Sequence, residues 1–167
     1  MDNPFPIVLV LENLRSMYNV GAVFRLAEAL QVDHVYLCGF TPYPPRQKIG
    51  KVARHMEQLV PWSYYKEPMY LLDKLKQDGY SIVAMERCNQ STPYHQYEPQ
   101  FPLALVLGFE VDGLSNETLE KADAILEIPM LGENNSLNVA VATGIVLYHL
   151  HNTFSKLVLG AKSVGSS

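Results

Sequence analysis

Three short segments of this chain carry residue types that could hold a phosphate, a hydroxyl or a polar cofactor. The first is Asn19-Val20-Gly21-Ala22-Val23-Phe24-Arg25. In a helix, Gly21 and Ala22 stand three or four residues before Arg25 and share its side. Their small size predicts open space there for a substrate, beside a guanidinium whose planar fork suits a phosphate. The plainer reading is a solvated arginine paired with Glu28 at i+3. Asn19 is placed to cap the helix.

The second segment is Leu107-Gly108-Phe109-Glu110-Val111-Asp112-Gly113-Leu114-Ser115. Gly108 and Gly113 permit a sharp exit from a strand and a close backbone approach to a ligand. Glu110 and Asp112 could act as bases or as acceptors at a helix terminus; the alternative is an ordinary turn capped by Ser115. The third segment runs Ile128-Pro129-Met130 through a Gly/Asn-rich loop to Ser136-Leu137-Asn138-Val139. Free backbone N–H groups where that loop enters a helix could hold an anion or polar ligand. The alternative there is Ser136 as N-cap with Asn138 facing solvent. Neither GxGxxG nor GxxxxGK[ST] occurs, which removes support for dinucleotide and P-loop chemistry.

All three segments follow apolar runs that read as strands. Ile7 to Leu11, Val32 to Cys38, Ser81 to Met85, Leu103 to Gly108 and Ala124 to Ile128 alternate with helical patterns. Val20, Val23, Phe24, Ala27 and Leu30 give helical spacing over Asn19 to Gln31. Pro68 starts a helix that Gly79 is placed to end. Ser115 caps a short helix to Ala122. Leu137 to His151 is a long helix whose first residues, apolar on every side, predict burial. The Pro-rich stretch from Thr41 to Lys48 and the polar stretch from Cys88 to Pro102 read as loops. This alternation predicts an α/β fold: a single domain with a mostly parallel sheet flanked by helices. Ligands in such sheets bind beyond the carboxyl ends of the strands, where the three segments fall.

The chain has 167 residues, 48% hydrophobic and 18% charged, which suits one globular domain. Residues 1–159 are expected to form it, with 160–167 as a fraying tail. Two cysteines exclude a disulfide scaffold, and no His/Cys cluster predicts a metal. Thirteen basic against seventeen acidic side chains give a net charge of −4, which argues against binding polyanions by bulk charge. Arg46, Lys48, Lys51 and Arg54, with His55 and beside Tyr43, nevertheless form a dense basic stretch. They are read either as a solvated loop or as phosphate contacts. The N-terminus shows no basic leader and no run long enough to span a membrane, so a cytoplasmic location is expected.

In order and spacing the three segments resemble the motifs of the SpoU (TrmH-like) RNA ribose 2′-O-methyltransferases, of the SPOUT class. Asn19, Gly21 and Arg25 match Asn-x-Gly-x-x-x-Arg. Gly108, Glu110, Gly113 and Leu114 match Gly-x-Glu-x-x-Gly-Leu. Ile128 to Met130 and Ser136 to Val139 match Ile-Pro-Met and Ser-Leu-Asn-Val. The resemblance covers about Ile7 to His151. Two departures stand out. Many members have Gly where this chain has Gln31, and many read Ala-Leu-Gly-Ala-Glu where it reads Ala53-Arg54-His55-Met56-Glu57.

The resemblance implies a deep C-terminal trefoil knot, a homodimer, and S-adenosyl-L-methionine as cofactor. It implies transfer of a methyl group to a ribose 2′-hydroxyl of tRNA or rRNA. By position it implies cofactor contacts at Gly108, Gly113, Ile128, Met130 and Leu137, with Met85 and Glu86 as a wall. Arg25, Asn19, Glu110, Ser136 and Asn138 would be the catalytic set. Arg46, Lys48, Lys51 and Arg54 would bind RNA from the dimeric core, since the N-terminal RNA-binding domain of some members has no counterpart here. A non-catalytic module of the same fold, binding RNA or S-adenosylmethionine, is the alternative. An unrelated flavodoxin-like domain is a third reading.

Overall fold

The computed structural model describes residues 5–108 and 110–164, the last three by backbone alone. Seven strands form one sheet, every pairing parallel: β1 (Ile7–Glu12), β2 (His34–Cys38), β3 (Trp62–Tyr65), β4 (Ser81–Met85), β5 (Thr92–Pro93), β6 (Leu103–Leu107) and β7 (Ala124–Glu127). Their spatial order is β3-β2-β1-β6-β4-β7-β5. The helices are α1 (Met17–Ala29), α2 (Gln47–Ala53), α3 (Pro68–Gln77), α4 (Asn116–Lys121) and α5 (Val139–Val164).

The central strands are apolar throughout because both faces of the sheet are covered. Alternate residues of β1 point to opposite faces. Ile7, Leu9 and Leu11 join Val20, Val23 and Phe24 of α1 and Val146, Leu147 and Leu150 of α5 in one core. Val8 and Val10 join Leu71, Leu72 and Leu75 of α3 in the other. Val10 lies opposite Tyr36 on one side and Val106 on the other. This register brings Glu12, Cys38, Leu107 and Met85 to one edge, the carboxyl edge, where the loops of interest leave the sheet.

Several elements depart from expectation. Ser16, not Asn19, caps α1: its side chain accepts from the Asn19 backbone N–H at 3.2 Å. The helix ends in a Schellman arrangement, with Val32 N–H donating to Ala27 O and Gln31 N–H to Glu28 O. Gln31 holds the left-handed position at φ 52°, and His55 sits at φ 66°. The two family departures thus place side-chain-bearing residues where glycine is favoured.

The Pro-rich stretch gives way to the seven-residue α2, and β3 and β5 add edge strands that sequence patterning missed. Helix α5 begins at Val139 and continues through Gly160 to Val164, five residues into the expected tail. Residues 165–167 lie outside the described residues. Its first turn is less buried than expected, with Val141 52% exposed. Among the described residues, no helix is long and apolar enough to cross a membrane.

Candidate active site

A cleft of about 710 Å3 opens beyond the carboxyl ends of β4, β6 and β7. That volume lies within the range of small-molecule sites. Met85 and Leu107 end β4 and β6, Leu126 is the penultimate residue of β7, and all three line it with Ile128, Leu137 and Val139. All seven residues expected at a cofactor, Met85, Glu86, Gly108, Gly113, Ile128, Met130 and Leu137, line it. So do Glu110 and Ser136 of the expected catalytic set.

The glycines are there to let the loops interlock. Gly113 has φ 70°, and a Cβ on it would lie 2.1 Å from Oε2 of Glu86. That oxygen accepts from the Leu114 N–H at 2.9 Å, while Oε1 accepts from the Arg87 N–H at 3.0 Å. A Cβ on Gly108 would meet Gly113 and Leu114 at 2.8 Å. A second carboxylate holds the same loop from below. Glu12, 3% exposed, accepts from the Ser115 N–H at 3.3 Å and from the Thr118 hydroxyl. Glu12 also lies against Cys38, whose thiol pKa is pushed up to about 12, mainly by burial and then by that carboxylate.

The polar residues of the three segments meet in one line. Asn19, 4% exposed, donates through Nδ2 to Oε1 of Glu110 at 2.6 Å. Its Oδ1 accepts from Nδ2 of Asn138 at 3.0 Å. Asn138 in turn accepts through Oδ1 from the N–H groups of Ala140 at 2.9 Å and Val141 at 3.3 Å. Asn138 is therefore the N-cap of α5, in place of Ser136. Asn138 is exposed, as the solvent-facing alternative has it, yet both ends of its amide are engaged. Glu110 is neither a bare turn residue nor a helix-terminus acceptor; Asn19 fixes it.

Arg25 stands apart from this line. It is exposed on the outer side of α1, with Tyr18. Among the described residues it forms no ion pair with Glu28 or any other carboxylate. The expected open space beside Gly21 is absent. A Cβ there would lie 2.8 Å from Val52 Cβ and 2.9 Å from Ile49 O, so Gly21 serves the close packing of α1 on α2. Arg46 precedes α2, and Lys48, Lys51 and Arg54 lie on or just after it, all four exposed. Arg46 lines a separate hollow.

Sequence reading missed Arg87, Cys88, Asn89 and Asn135, which also line the cleft. Arg87 donates through Nη1 to Asn135 O at 3.5 Å, drawing the loops after β4 and β7 together. Its signal was its place two residues after the strand ending at Met85. Glu12 was missed because a buried carboxylate at a strand end reads as the edge of an apolar run.

The sequence model of the SpoU rRNA Methylase family matches residues 6–148. The chain is 34% identical over 143 residues to a Staphylococcus saprophyticus protein assigned to the TrmH family of tRNA/rRNA methyltransferases; the match covers 86% of this chain and 57% of that one. It thus spans little more than half the length of such curated relatives. An AdoMet-bound rRNA methyltransferase from Sinorhizobium meliloti superposes with a TM-score of 0.83 at 26% identity, over 87% of this chain and 56% of that one. A structure describing the 2-OH methylation of C/U34 on tRNA superposes with a TM-score of 0.83 at 25% identity, over 92% of this chain and 99% of that one. Likeness in sequence and in fold runs through all three segments that build the cleft, and the chain belongs to the SpoU rRNA Methylase family.

Proposed function

We propose that this protein is an S-adenosyl-L-methionine-dependent RNA methyltransferase that acts on a ribose 2′-hydroxyl of tRNA or rRNA. The observation that carries the reading is the hydrogen-bonded line Glu110–Asn19–Asn138, set beside a cleft whose walls come from all three segments. The S. meliloti neighbour is AdoMet-bound, and the full-length neighbour concerns 2-OH methylation of tRNA. The reading also carries the knotted C-terminal path of the resemblance and a place of work in the cytoplasm.

The cleft suits the cofactor. Its lining joins apolar side chains such as Leu107, Leu126 and Ile128, against which a flat ring could lie, with polar groups that include Glu86 and Glu110. Met85, Gly108, Gly113, Ile128, Met130 and Leu137 would hold the cofactor, with Glu86 keeping the Gly113 turn in place. Bound there, it supplies an electrophilic sulfonium methyl group.

The chain's own residues must then place the 2′-hydroxyl and ease the loss of its proton. Orientation alone can contribute on the order of 7–11 kcal/mol. Asn19 fixes the Glu110 carboxylate, and Asn138 fixes Asn19, so the polar wall is set before RNA arrives. Ser136 offers a hydroxyl on the same wall. Arg25 offers a planar fork of hydrogen-bond donors and no acceptor. Its role is to clamp a phosphate or to stabilise the developing alkoxide. Arg46, Lys48, Lys51 and Arg54 contact further phosphates.

Two copies would assemble through the outer sides of α1 and α5. Tyr18 at 64%, Val141 at 52% and Tyr148 at 47% exposure are apolar surface awaiting cover. Such pairing would bring Arg25, on the outer side of α1, to the interface. Titration calorimetry with S-adenosylmethionine tests the reading: binding heat is expected, and Gly113→Ala should abolish most of it. No heat and no thermal shift at millimolar cofactor would sink it.

A further inference from the structure

A second hollow, of about 320 Å3, lies beyond the carboxyl ends of β2 and β3 and is independent of the cleft. Its walls are Phe40, Tyr43 and Tyr64, with Arg15 and Arg46 at its rim; none of the residues lining it is acidic. The rings are exposed: Phe40 at 55%, Tyr43 at 38% and Tyr64 at 38%. They are also held in place. Tyr43 and Tyr64 lie with ring centroids 4.5 Å apart, and the Trp62 ring centre is 6.2 Å from that of Tyr43. The Tyr64 hydroxyl donates to Gly39 O at 2.6 Å. The Phe40 N–H donates to Oδ1 of Asn13 at 3.1 Å, and the Arg15 guanidinium stands 5.6 Å from the Phe40 ring centre.

Exposed π faces held rigid beside cations are what an unpaired base needs. Stacking on an aromatic ring tolerates any base, and adjacent guanidinium groups take the phosphates on either side. The basic residues of α2 continue the positive rim: Arg46 leads into Lys48, Lys51 and Arg54. The hollow and the cleft share one edge of the sheet, separated in strand order only by β1 between β2 and β6. With neighbouring strands about 5 Å apart, the two sites are within reach of one nucleic-acid strand.

We propose that Phe40, Tyr43 and Tyr64, with Arg15 and Arg46, form a stacking subsite for one unpaired nucleobase flanking the nucleotide that is methylated. This rests on the RNA methyltransferase reading and adds to it how the substrate is recognised: as a single-stranded loop, read by a stacked neighbour of the target and not by charge alone.

The test uses the full chain and two labelled probes, octauridine and an abasic octamer of the same ribose-phosphate backbone. Octauridine should bind more tightly than the abasic octamer. It should also quench the fluorescence of Trp62, the chain's one tryptophan. Tyr43→Ala and Phe40→Ala should each weaken octauridine about tenfold, the loss of one good stack, and leave the abasic octamer unchanged. Tyr43→Leu, which keeps apolar bulk and removes the π face, should behave as Tyr43→Ala; its S-adenosylmethionine affinity, at the wild-type value, shows that it is folded. Equal affinity for the two probes, or octauridine binding unaltered in these variants, would overturn the subsite while leaving cofactor binding and methyl transfer intact. Loss of cofactor binding in the wild-type protein would instead strike the underlying reading.

Discussion

Asn138 donates to Asn19 at 3.0 Å across 119 positions of chain, and its other amide atom caps the first turn of α5. One side chain thus ties the start of the last helix to the first turn of α1, and through Asn19 to Glu110. The two duties can be separated. Asn138→Ala loses both, and should cost about 2–3 kcal/mol of stability, an N-cap and a hydrogen bond to a buried amide together. Asn138→Asp keeps the capping oxygen and removes the donor. With the cap intact it should cost only about 1 kcal/mol in denaturant unfolding, for the unpaired Asn19 Oδ1, yet lose about tenfold in methyl transfer, one hydrogen bond's worth. An Asp variant that transfers at the wild-type rate would show the bond to Asn19 to be unnecessary.

Arg25 touches neither the cleft nor this line, so its effect should appear only with RNA bound. Arg25→Ala should leave thermal stability and cofactor affinity unchanged. Single-turnover transfer should fall by roughly 10²–10³, the scale of one lost transition-state donor. Arg25→Lys should recover little, since a point charge does not reproduce the fork. Near-normal transfer by Arg25→Ala would make it a plain surface residue.

The Gly113 turn offers a direct probe of the cleft. An alanine there meets Glu86 at 2.1 Å on left-handed backbone and must expel that carboxylate from the Leu114 N–H. S-adenosylmethionine affinity should drop at least tenfold, with a stability loss of about 1–3 kcal/mol. Gly21→Ala, crowding α2 instead, should cost similar stability with cofactor affinity retained in the folded fraction. Calorimetry on both variants distinguishes the two glycines.

The two cysteines should differ sharply. Cys88 is half-buried and lines the cleft, whereas Cys38 is buried with a pKa near 12. Iodoacetamide should therefore label the accessible Cys88 and spare the buried Cys38, and saturating S-adenosylmethionine should protect Cys88. The raised pKa also sets a pH trend. The folded chain keeps the Cys38 thiol neutral where the unfolded chain, near 9, does not. The corresponding stability is full below pH 9 and declines as pH rises toward about 12. Cys38→Ser should flatten that part of the pH–stability curve; an unaltered slope would contradict the assignment.

Much of the fold was legible because its signals are local. The five inner strands are continuous apolar runs, and Pro68 and Gly79 bracket α3 as their backbone preferences require. The edges were not. Strand β3 reads Trp-Ser-Tyr-Tyr, without a buried run, and α2 is seven residues long with a glycine inside. The motif residues were legible by type and order, and the cleft collects those expected at the cofactor. Their partners were not legible. Ser136 and Asn138 are both good caps two residues apart, and only the distant Asn19 decides between them. Gly21 looked like room for a ligand because nothing nearby in sequence announces α2. Gln31 and His55 hide left-handed backbone behind ordinary side chains.

The central claim is that this cleft delivers a methyl group to a ribose hydroxyl of RNA. It is tested most directly by incubating the protein with methyl-labelled S-adenosylmethionine and tRNA and rRNA lacking the modification, then digesting the RNA and identifying the labelled nucleoside by mass spectrometry. The label is predicted on the 2′-oxygen of a single nucleoside, and to be strongly reduced with Asn19→Ala or Arg25→Ala. Label on a base, or none in either RNA from a protein that binds the cofactor, would contradict it.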